Sequence, residues 1–316
     1  MSVLGRLSVV GAGPVAEADA ALLAAARRER TLPIVARNLG RRCDEEIDIV
    51  ARHLMARRQA EEIAARVEVV ELKGLDLGRR VYPNPGLRDM GDIDLLVRRS
   101  ELGRADAALR SLGYVPEREP RAVEGLLKAV LYRGDGLPVH LHWHVVNGSL
   151  AAPYAIDVDE IWAEARDGAL AAHHRLVALC EHAFKHGFDA LIHLSDIELC
   201  ARSADWPRVA ATARRWGLES VVAWTLELLR DVLGVRSPGS AHVRSTAGPE
   251  ARFFLSRARR RRAGGAWLGC LAMADGVSGR WDVVRRTLAP AGGGEGLRSR
   301  TPAARLARAL GSLLGR

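Results

Sequence analysis

Residues 88–97 spell Arg-Asp-Met-Gly-Asp-Ile-Asp-Leu-Leu-Val, the most informative stretch of the chain. Successive side chains of a β-strand point to opposite faces, so the apolar residues at positions 93, 95 and 97 share one face. Asp92 and Asp94 share the other face, where two carboxylates concentrate negative charge. Such a pair is costly unless a cation neutralises it, and Mg²⁺ takes carboxylate oxygens while keeping positions for substrate phosphates. The stretch therefore predicts a core strand with a metal site.

The neighbouring segments predict a small mixed sheet around this strand. Residues 67–72 are rich in β-branched side chains and end at Lys73-Gly74, which indicates a strand entering a turn. A short helix is predicted from Asp76 to about Val81, before a rigid Tyr-Pro-Asn-Pro-Gly loop. Downstream we predict a helix at 101–112, then strands at 129–133 and 139–146 joined by a Gly-Asp-Gly hairpin turn.

Both ends of the chain have helical periodicity. We expect an α+β protein with three parts: an N-terminal helical cap at 1–66, an α/β core at 67–158 and a helical C-terminal domain at 159–316. In the last part the apolar spacing predicts helices at 169–185, 190–201, 206–216 and 219–233. A linker is expected at 236–248, and a flexible loop at 290–296 precedes a last amphipathic helix, Pro302–Leu314.

Composition restricts the class of protein. The 316 residues are 48% hydrophobic and carry a net charge of +9, but the basic residues are spread along the chain. The dense block from Arg257 to Arg262 fits either a solvated helix face or a contact with a polyanion. Aromatic residues make up only 5%, so a polynucleotide polymerase is disfavoured and nucleic acid is a possible but not favoured partner.

The four cysteines are far apart and form no Cys-x-x-Cys pair. This spacing disfavours a zinc ribbon, a thioredoxin-like site and a disulfide framework, and favours reduced thiols in the cytoplasm. No run of about 18 apolar residues occurs, so we expect no membrane span and no signal peptide.

Several motifs follow one another in a characteristic order. They are a strand ending in Lys-Gly, a Tyr-Pro-x-Pro loop, Arg-x-x-x-Asp-Ile-Asp-Leu-Leu-Val, the strand Val-His-Leu-His-Trp at 139–143, and the helical stretch 179–200 with His182 and His186. This series, over roughly residues 71–216, resembles the uncharacterised nucleotidyltransferase family of the DNA polymerase beta-like superfamily.

The resemblance implies a metal-dependent nucleotidyltransferase core with Mg²⁺ or Mn²⁺ as cofactor and an NTP as donor. Asp92 and Asp94 would be catalytic metal ligands, and Gly74 would open the turn that lets backbone N–H groups approach phosphates. Lys73 and Arg88 become candidates to contact the triphosphate. The acceptor would be a hydroxyl or phosphate of a small molecule, a peptide or an RNA end.

The histidines leave alternatives open. His140 takes the place where the superfamily usually has a third carboxylate, and an imidazole there can act as a general base or bind a softer metal. Positions 140, 142 and 144 alternate on one strand face, which suits a ligand cluster or a wet sheet face; His142 is favoured by the resemblance. His182 and His186, four residues apart, face one side of a helix and suit either a substrate pocket or packing near Asp196.

Two other functions compete with transfer of a nucleotidyl group from an NTP. One is a metal-dependent transferase that uses a nucleotide sugar or another phosphate-linked donor, because the motif recognises phosphate and metal rather than a base. The other is a catalytically degenerate nucleotide-binding protein, in which His140 marks lost catalysis. The acceptor, the base preference and the oligomeric state stay open.

Overall fold

The computed structural model describes residues 2–13, 19–124, 127–145, 152–260 and 266–288. Over these ranges the chain forms fifteen α-helices and one five-stranded mixed sheet. The predicted α+β class, with helices at the N-terminus and a helical C-terminal region, is confirmed. The predicted loop at 290–296 and the helix Pro302–Leu314 lie outside the described residues.

Four helices precede the sheet: α1 (Val3–Leu7), α2 (Ala20–Arg28), α3 (Leu32–Asn38) and α4 (Glu45–Ala64). Helix α2 begins where the Asp19 carboxylate accepts a hydrogen bond from the Leu22 N–H at 2.7 Å. Helix α4 has three acidic residues in its first turn, where the helix dipole favours negative charge. The helical periodicity of the N-terminal part is thus confirmed.

The sheet has the order β1-β2-β5-β4-β3. Its strands are β1 (Val70–Glu71), β2 (Ile93–Leu96), β3 (Val115–Pro116), β4 (Ala129–Arg133) and β5 (Val139–His142), with helices α5 (Lys73–Arg80), α6 (Leu102–Ser111) and α7 (Pro120–Val123) between them. Strands β2 and β5 are parallel, whereas β4 and β5 form the predicted antiparallel hairpin.

One face of the two central strands forms the core. Ile93, Leu95 and Val97 pack with Val139 and Leu141 in a single buried cluster. The period of two then sends the alternate residues of both strands to the opposite face. This alternation leaves the acidic and histidine side chains together on the second face of the sheet.

Two predicted boundaries are wrong. Strand β1 covers only two residues, and Lys73 already begins α5, so the turn predicted at Lys73-Gly74 is the first turn of a helix. Strand β5 ends at His142, which pairs with the last residue of β2 and the first residue of β4. Both neighbouring strands end at that position. One further backbone hydrogen bond joins the Trp143 N–H to the Lys128 carbonyl at 3.0 Å, and His144 is not on the strand.

The remaining helices are α8 (Val158–Glu164), α9 (Ala172–Lys185), α10 (Leu191–Ala201), α11 (Trp206–Arg215), α12 (Glu219–Leu228), α13 (Pro249–Arg259), α14 (Ala266–Met273) and α15 (Gly276–Leu288). A π-helical turn, Leu229–Leu233, extends α12. The four helices predicted at 169–233 are confirmed. In the described part of the chain, no helix has the length and apolar character needed to cross a bilayer.

The chain folds as two compact units. One consists of Ser2–Asn147 with Val158–Arg175 and contains the sheet; the other consists of Gly148–Asp157 with Leu176–Arg316. The division into a cap at 1–66, a core at 67–158 and a helical domain at 159–316 stays a prediction.

Part of the arginine block at 257–262 takes part in the packing of the C-terminal unit. Arg257 is buried, and Arg259 forms ion pairs with Glu227 and Asp231 on α12 and its π-helical extension. Residues 261–265 lie outside the described ranges. The two arginines therefore contribute to helix packing, which neither sequence interpretation of the block included.

Candidate functional site

The parallel pairing of β2 with β5 builds the candidate site. Its register places Asp94 beside His140 and Leu96 beside His142. The Asp94 Oδ1 atom lies 2.7 Å from His142 Nε2 and 3.6 Å from His140 Nδ1. One ligand atom from each of the three residues lies within 4.8 Å of the other two, close enough for one metal ion. The two histidines of the Val-His-Leu-His-Trp strand therefore meet the second aspartate of the Asp-Ile-Asp motif.

Lys73 enters the same site from the end of β1. The Leu72 N–H donates to the Asp94 carbonyl at 2.9 Å, and the next residue turns with φ of 47°. A residue with a side chain in this left-handed region costs roughly 1–3 kcal/mol, which the surrounding structure must compensate. The turn directs the Lys73 ammonium to Asp94 Oδ1 at 2.6 Å.

Asp94 is held as a carboxylate. The side chain is only 6% exposed, and burial alone raises the pKa of a carboxyl. The Lys73 ammonium and the hydrogen bonds from His142 and Lys73 outweigh burial and hold the pKa of Asp94 well below its ordinary range. The site thus contains a fixed negative charge on a buried strand.

His142 is neutral in this environment. Burial, and then the nearby Lys73 ammonium, lower its pKa to about 3. A neutral imidazole that donates from Nε2 to Asp94 has a lone pair on Nδ1, and that buried atom has no hydrogen-bond partner among the described residues. His140 is more accessible, with 26% of its side chain exposed.

Asp92 lies one residue before β2. Burial and the neighbouring Asp94 charge raise its pKa, and Lys73, Arg30 and Arg88 partly offset them. Asp92 is outside the group of three close ligand atoms. Asp92 therefore lies close enough to Asp94 for the two charges to interact. Its role as a metal ligand stays a prediction. Arg30, on the segment between α2 and α3, is a contributor that the sequence patterns did not indicate.

Gly74 and Arg88 make packing contacts that the sequence did not predict. A Cβ on Gly74 would lie 2.9 Å from Met90 Cβ, so glycine is needed for close packing of α5 on the segment before β2. Arg88 is buried, and its carbonyl oxygen lies 2.7 Å from His53 Nε2 on α4. The proposed phosphate contacts of both residues stay predictions.

His182 and His186 belong to the other unit. Their rings lie 4.7 Å apart, and His193 lies 5.1 Å from the first and 5.8 Å from the second. The helical spacing of four correctly placed two imidazoles side by side. The third imidazole, His193, lies on α10 and joins the other two through the packing of that helix, which the sequence spacing does not indicate. A substrate role for this histidine group stays a prediction.

The side chains of Asp94, His140 and His142 form a ligand set that fits a divalent metal. One buried carboxylate with two imidazoles is typical of sites for Mn²⁺, Zn²⁺ or Fe²⁺, whereas Mg²⁺ prefers oxygen ligands. Asp94, His140 and His142 could therefore hold a divalent ion, and Asp92 is the nearby oxygen donor that would suit Mg²⁺.

Comparison with curated proteins finds no match to the chain, and comparison with solved structures finds none either. The sequence profile of one family, described as uncharacterised nucleotidyltransferase, matches residues 16–234. This match covers more than half of the chain and includes the sheet, Lys73, both aspartates and the two histidines of β5. The chain belongs to the uncharacterised nucleotidyltransferase family.

Proposed function

We propose that this protein is a metal-dependent nucleotidyltransferase that moves a nucleotidyl group from an NTP to a hydroxyl or phosphate acceptor. The observation that carries the proposal is the group of Asp94, His140, His142 and Lys73 in a chain of this family. The acceptor belongs to a small molecule, a peptide or an RNA end. Membership of the DNA polymerase beta-like superfamily is part of the same proposal.

The aspartates would hold the cation. Asp94 is charged in the folded state, and Asp92 can supply a second carboxylate because its raised pKa falls when a cation approaches. A divalent ion, when bound, neutralises phosphate charge and favours in-line displacement at phosphorus. Because His142 adds an imidazole donor to the carboxylates, we expect Mn²⁺ to support more activity than Mg²⁺.

His140 would act as the general base. In the proposed reaction the acceptor oxygen forms a bond to the α-phosphorus, the bond between this phosphorus and the bridging oxygen breaks, and pyrophosphate leaves. The acceptor proton passes to His140 Nε2. The other ring nitrogen, Nδ1, faces Asp94 at 3.6 Å, and a carboxylate on that side stabilises the imidazolium that forms.

The basic residues would contact the donor. Lys73 lies against Asp94, and its ammonium can also reach a phosphate oxygen that enters the site. Arg88 offers a planar fork that suits phosphate. His182 and His186 are proposed contacts of the bound substrates. The four cysteines are free thiols, which supports the proposed cytoplasmic location.

The binding test uses calorimetry with each of the four NTPs, with Mg²⁺, Mn²⁺ or no metal. We expect binding that requires a divalent metal, that Asp94→Asn abolishes and that Asp135→Asn preserves. Asp135 is a matched control because it is an exposed aspartate in the β4–β5 turn of the same unit. Well-folded wild-type protein that binds no NTP in the presence of either metal would refute the proposal.

The contacts of Asp94 support a second candidate function. Both Lys73 and His142 donate to the same oxygen of Asp94. The group of three close ligand atoms contains one carboxylate, whereas catalysis by two metal ions needs more than one. This arrangement favours a nucleotide-binding protein without catalysis. Transfer of label from α-labelled NTP into small-molecule, peptide and RNA fractions separates the two functions: binding without any transfer supports the second.

Donor profiling separates NTP from other donors. Nucleotide sugars that displace a bound NTP, and that yield transferred sugar rather than transferred nucleotide, would support the alternative transferase. Label transfer from the α-phosphate of an NTP, lost in His140→Gln, supports the nucleotidyl reaction.

A further inference from the structure

A second cluster of metal-ligating side chains lies in the same unit, at the junction of α8 and α9. Its members are Glu160 and Glu164 on α8 and His173 and His174 in the first turn of α9. One ligand atom each from Glu164, His173 and His174 lies within 4.8 Å of the other two. None of these four residues belongs to the Asp94 site.

A short hairpin turn brings the two helix ends together. Arg166 and Ala169 exchange backbone hydrogen bonds at 2.9 and 3.1 Å around Asp167 and Gly168. The two central residues have φ of 52° and 66°, and Asp-Gly is a favoured pair where both central residues of a hairpin turn need positive φ. The Gly168 carbonyl accepts from the Glu71 N–H at 2.8 Å, which fixes the turn beside β1. The end of α8 is therefore held against the start of α9.

The separations match a coordination shell. Around a tetrahedral ion with bonds of about 2.1 Å, neighbouring ligand atoms are about 3.4 Å apart. His173 Nε2 lies 3.6 Å from Glu164 Oε2, and His174 Nε2 lies 3.3 Å from Glu160 Oε1. The first distance is too long for a good hydrogen bond and suits two ligands of one ion. The second is a hydrogen bond, by which Glu160 holds the His174 ring.

Charge and burial also favour a divalent cation at this cluster. His173 is 5% exposed and His174 is fully buried, and their ring centroids are 4.1 Å apart. Two imidazolium ions at this distance would repel each other in a site of low dielectric. One divalent cation instead balances the two glutamates and binds two neutral imidazoles.

From these observations we propose a second metal site, in which His173, His174 and Glu164 bind a divalent transition-metal ion of the Zn²⁺ type, leaving the fourth tetrahedral position to solvent. Two histidines with carboxylates are a ligand set that such ions prefer and Mg²⁺ does not. The ion would hold together α8, the Asp-Gly turn and α9 at the edge of the sheet. The proposal is independent of the proposed transferase activity.

The test uses full-length protein stripped of metal and titrated with Co²⁺, whose visible absorption reports coordination, and with Zn²⁺ as competitor. The Asp94→Asn/His140→Gln background disables the first site. In this background we expect one equivalent of Co²⁺ with tetrahedral absorption, displaced by Zn²⁺, and at least tenfold weaker binding after Glu164→Gln. The control is Glu124→Gln, a glutamate of the same unit that belongs to neither cluster.

Glu164→Gln is isosteric and partly exposed, so it is expected to fold; circular dichroism checks this. A melting temperature that Zn²⁺ raises in the background protein, but not after Glu164→Gln, is the second readout. The proposal is overturned if the background protein binds no Co²⁺, or if Glu164→Gln leaves both the affinity and the absorption spectrum unchanged.

Discussion

The contact between Lys73 and Asp94 makes a quantitative prediction about stability. The Nζ–Oδ1 distance is 2.6 Å, and the two side chains are 21% and 6% exposed. At an effective dielectric constant of about 20, charges at this distance attract each other by about 6 kcal/mol. Lys73→Met removes the cation and leaves a buried carboxylate, a change that typically costs about 3–5 kcal/mol.

Protonation limits this cost. Once Lys73 is gone, the buried carboxyl can take up a proton instead of remaining charged. From its ordinary pKa of 3.8, uptake of that proton costs about 4 kcal/mol at pH 7 and about 1.6 kcal/mol at pH 5. We therefore expect Lys73→Met to lose about 3–4 kcal/mol of unfolding free energy at pH 7 and less than half of that at pH 5.

The sign of the pH dependence identifies the mechanism. In the wild type the folded-state pKa of Asp94 is depressed, so its contribution to stability is present above about pH 4 and is lost only as the pH falls through the folded-state pKa. In Lys73→Met the folded state binds a proton that the unfolded state lacks, so stability falls as the pH rises from 5 to 7.

The assay is urea denaturation of wild type, Lys73→Met and Lys128→Met at pH 5, 6 and 7. Lys128 is an exposed lysine in the same unit, so its substitution is expected to change stability by less than about 0.5 kcal/mol. A loss in Lys73→Met as small as in this control, with no pH dependence, would refute the view that Lys73 neutralises Asp94.

Three further substitutions test the rest of the site. His140→Gln is expected to preserve metal-dependent NTP binding but to lower nucleotidyl transfer about 10²–10⁴-fold; equal transfer by mutant and wild type in a labelling assay would exclude His140 as the base. Asp92→Asn removes a charge whose folded-state pKa is raised, so we expect about 0.5–2 kcal/mol more stability at pH 7 without ligands, a gain that vanishes below about pH 3.8; destabilisation in urea titrations would contradict this. Gly74→Ala places a Cβ 2.9 Å from Met90 and is expected to cost about 1–3 kcal/mol, whereas Gly91→Ala, with open space around the added atom, should change the melting temperature little; equal effects would contradict the close-packing argument.

Alternation along a strand explains why the face that carries the candidate site residues could be predicted. A period of two is a local property of the backbone, so Asp94, His140 and His142 could each be assigned to a face from the sequence. The same reasoning placed the apolar residues of β2 on one face, and the structure packs them in one buried cluster with Val139 and Leu141 of β5. The meeting of His140 with Asp94 also needs the parallel register of two strands far apart in sequence, which spacing alone does not encode.

The boundaries failed where a non-local contact decides the backbone. Lys73-Gly74 has the composition of a turn, yet both residues belong to α5. The Lys73 ammonium is held at Asp94 with a left-handed φ, and Gly74 packs closely on Met90. Similarly, β5 stops at His142 because its partners stop there. Neither cause is visible within a short window of sequence.

The charges at the site bear on how substrates would bind if the proposed function holds. Asp94 is compensated by Lys73, and Asp92 resists ionisation because burial and Asp94 disfavour its charge. A divalent ion alone would therefore have to compete with the Lys73 ammonium for the Asp94 carboxylate. It would also have to promote ionisation of Asp92. A triphosphate changes that balance, because its oxygens both attract Lys73 and supply ligands to the ion. The two ligands would then bind more tightly together than separately, and by linkage each would raise the affinity for the other by the same factor.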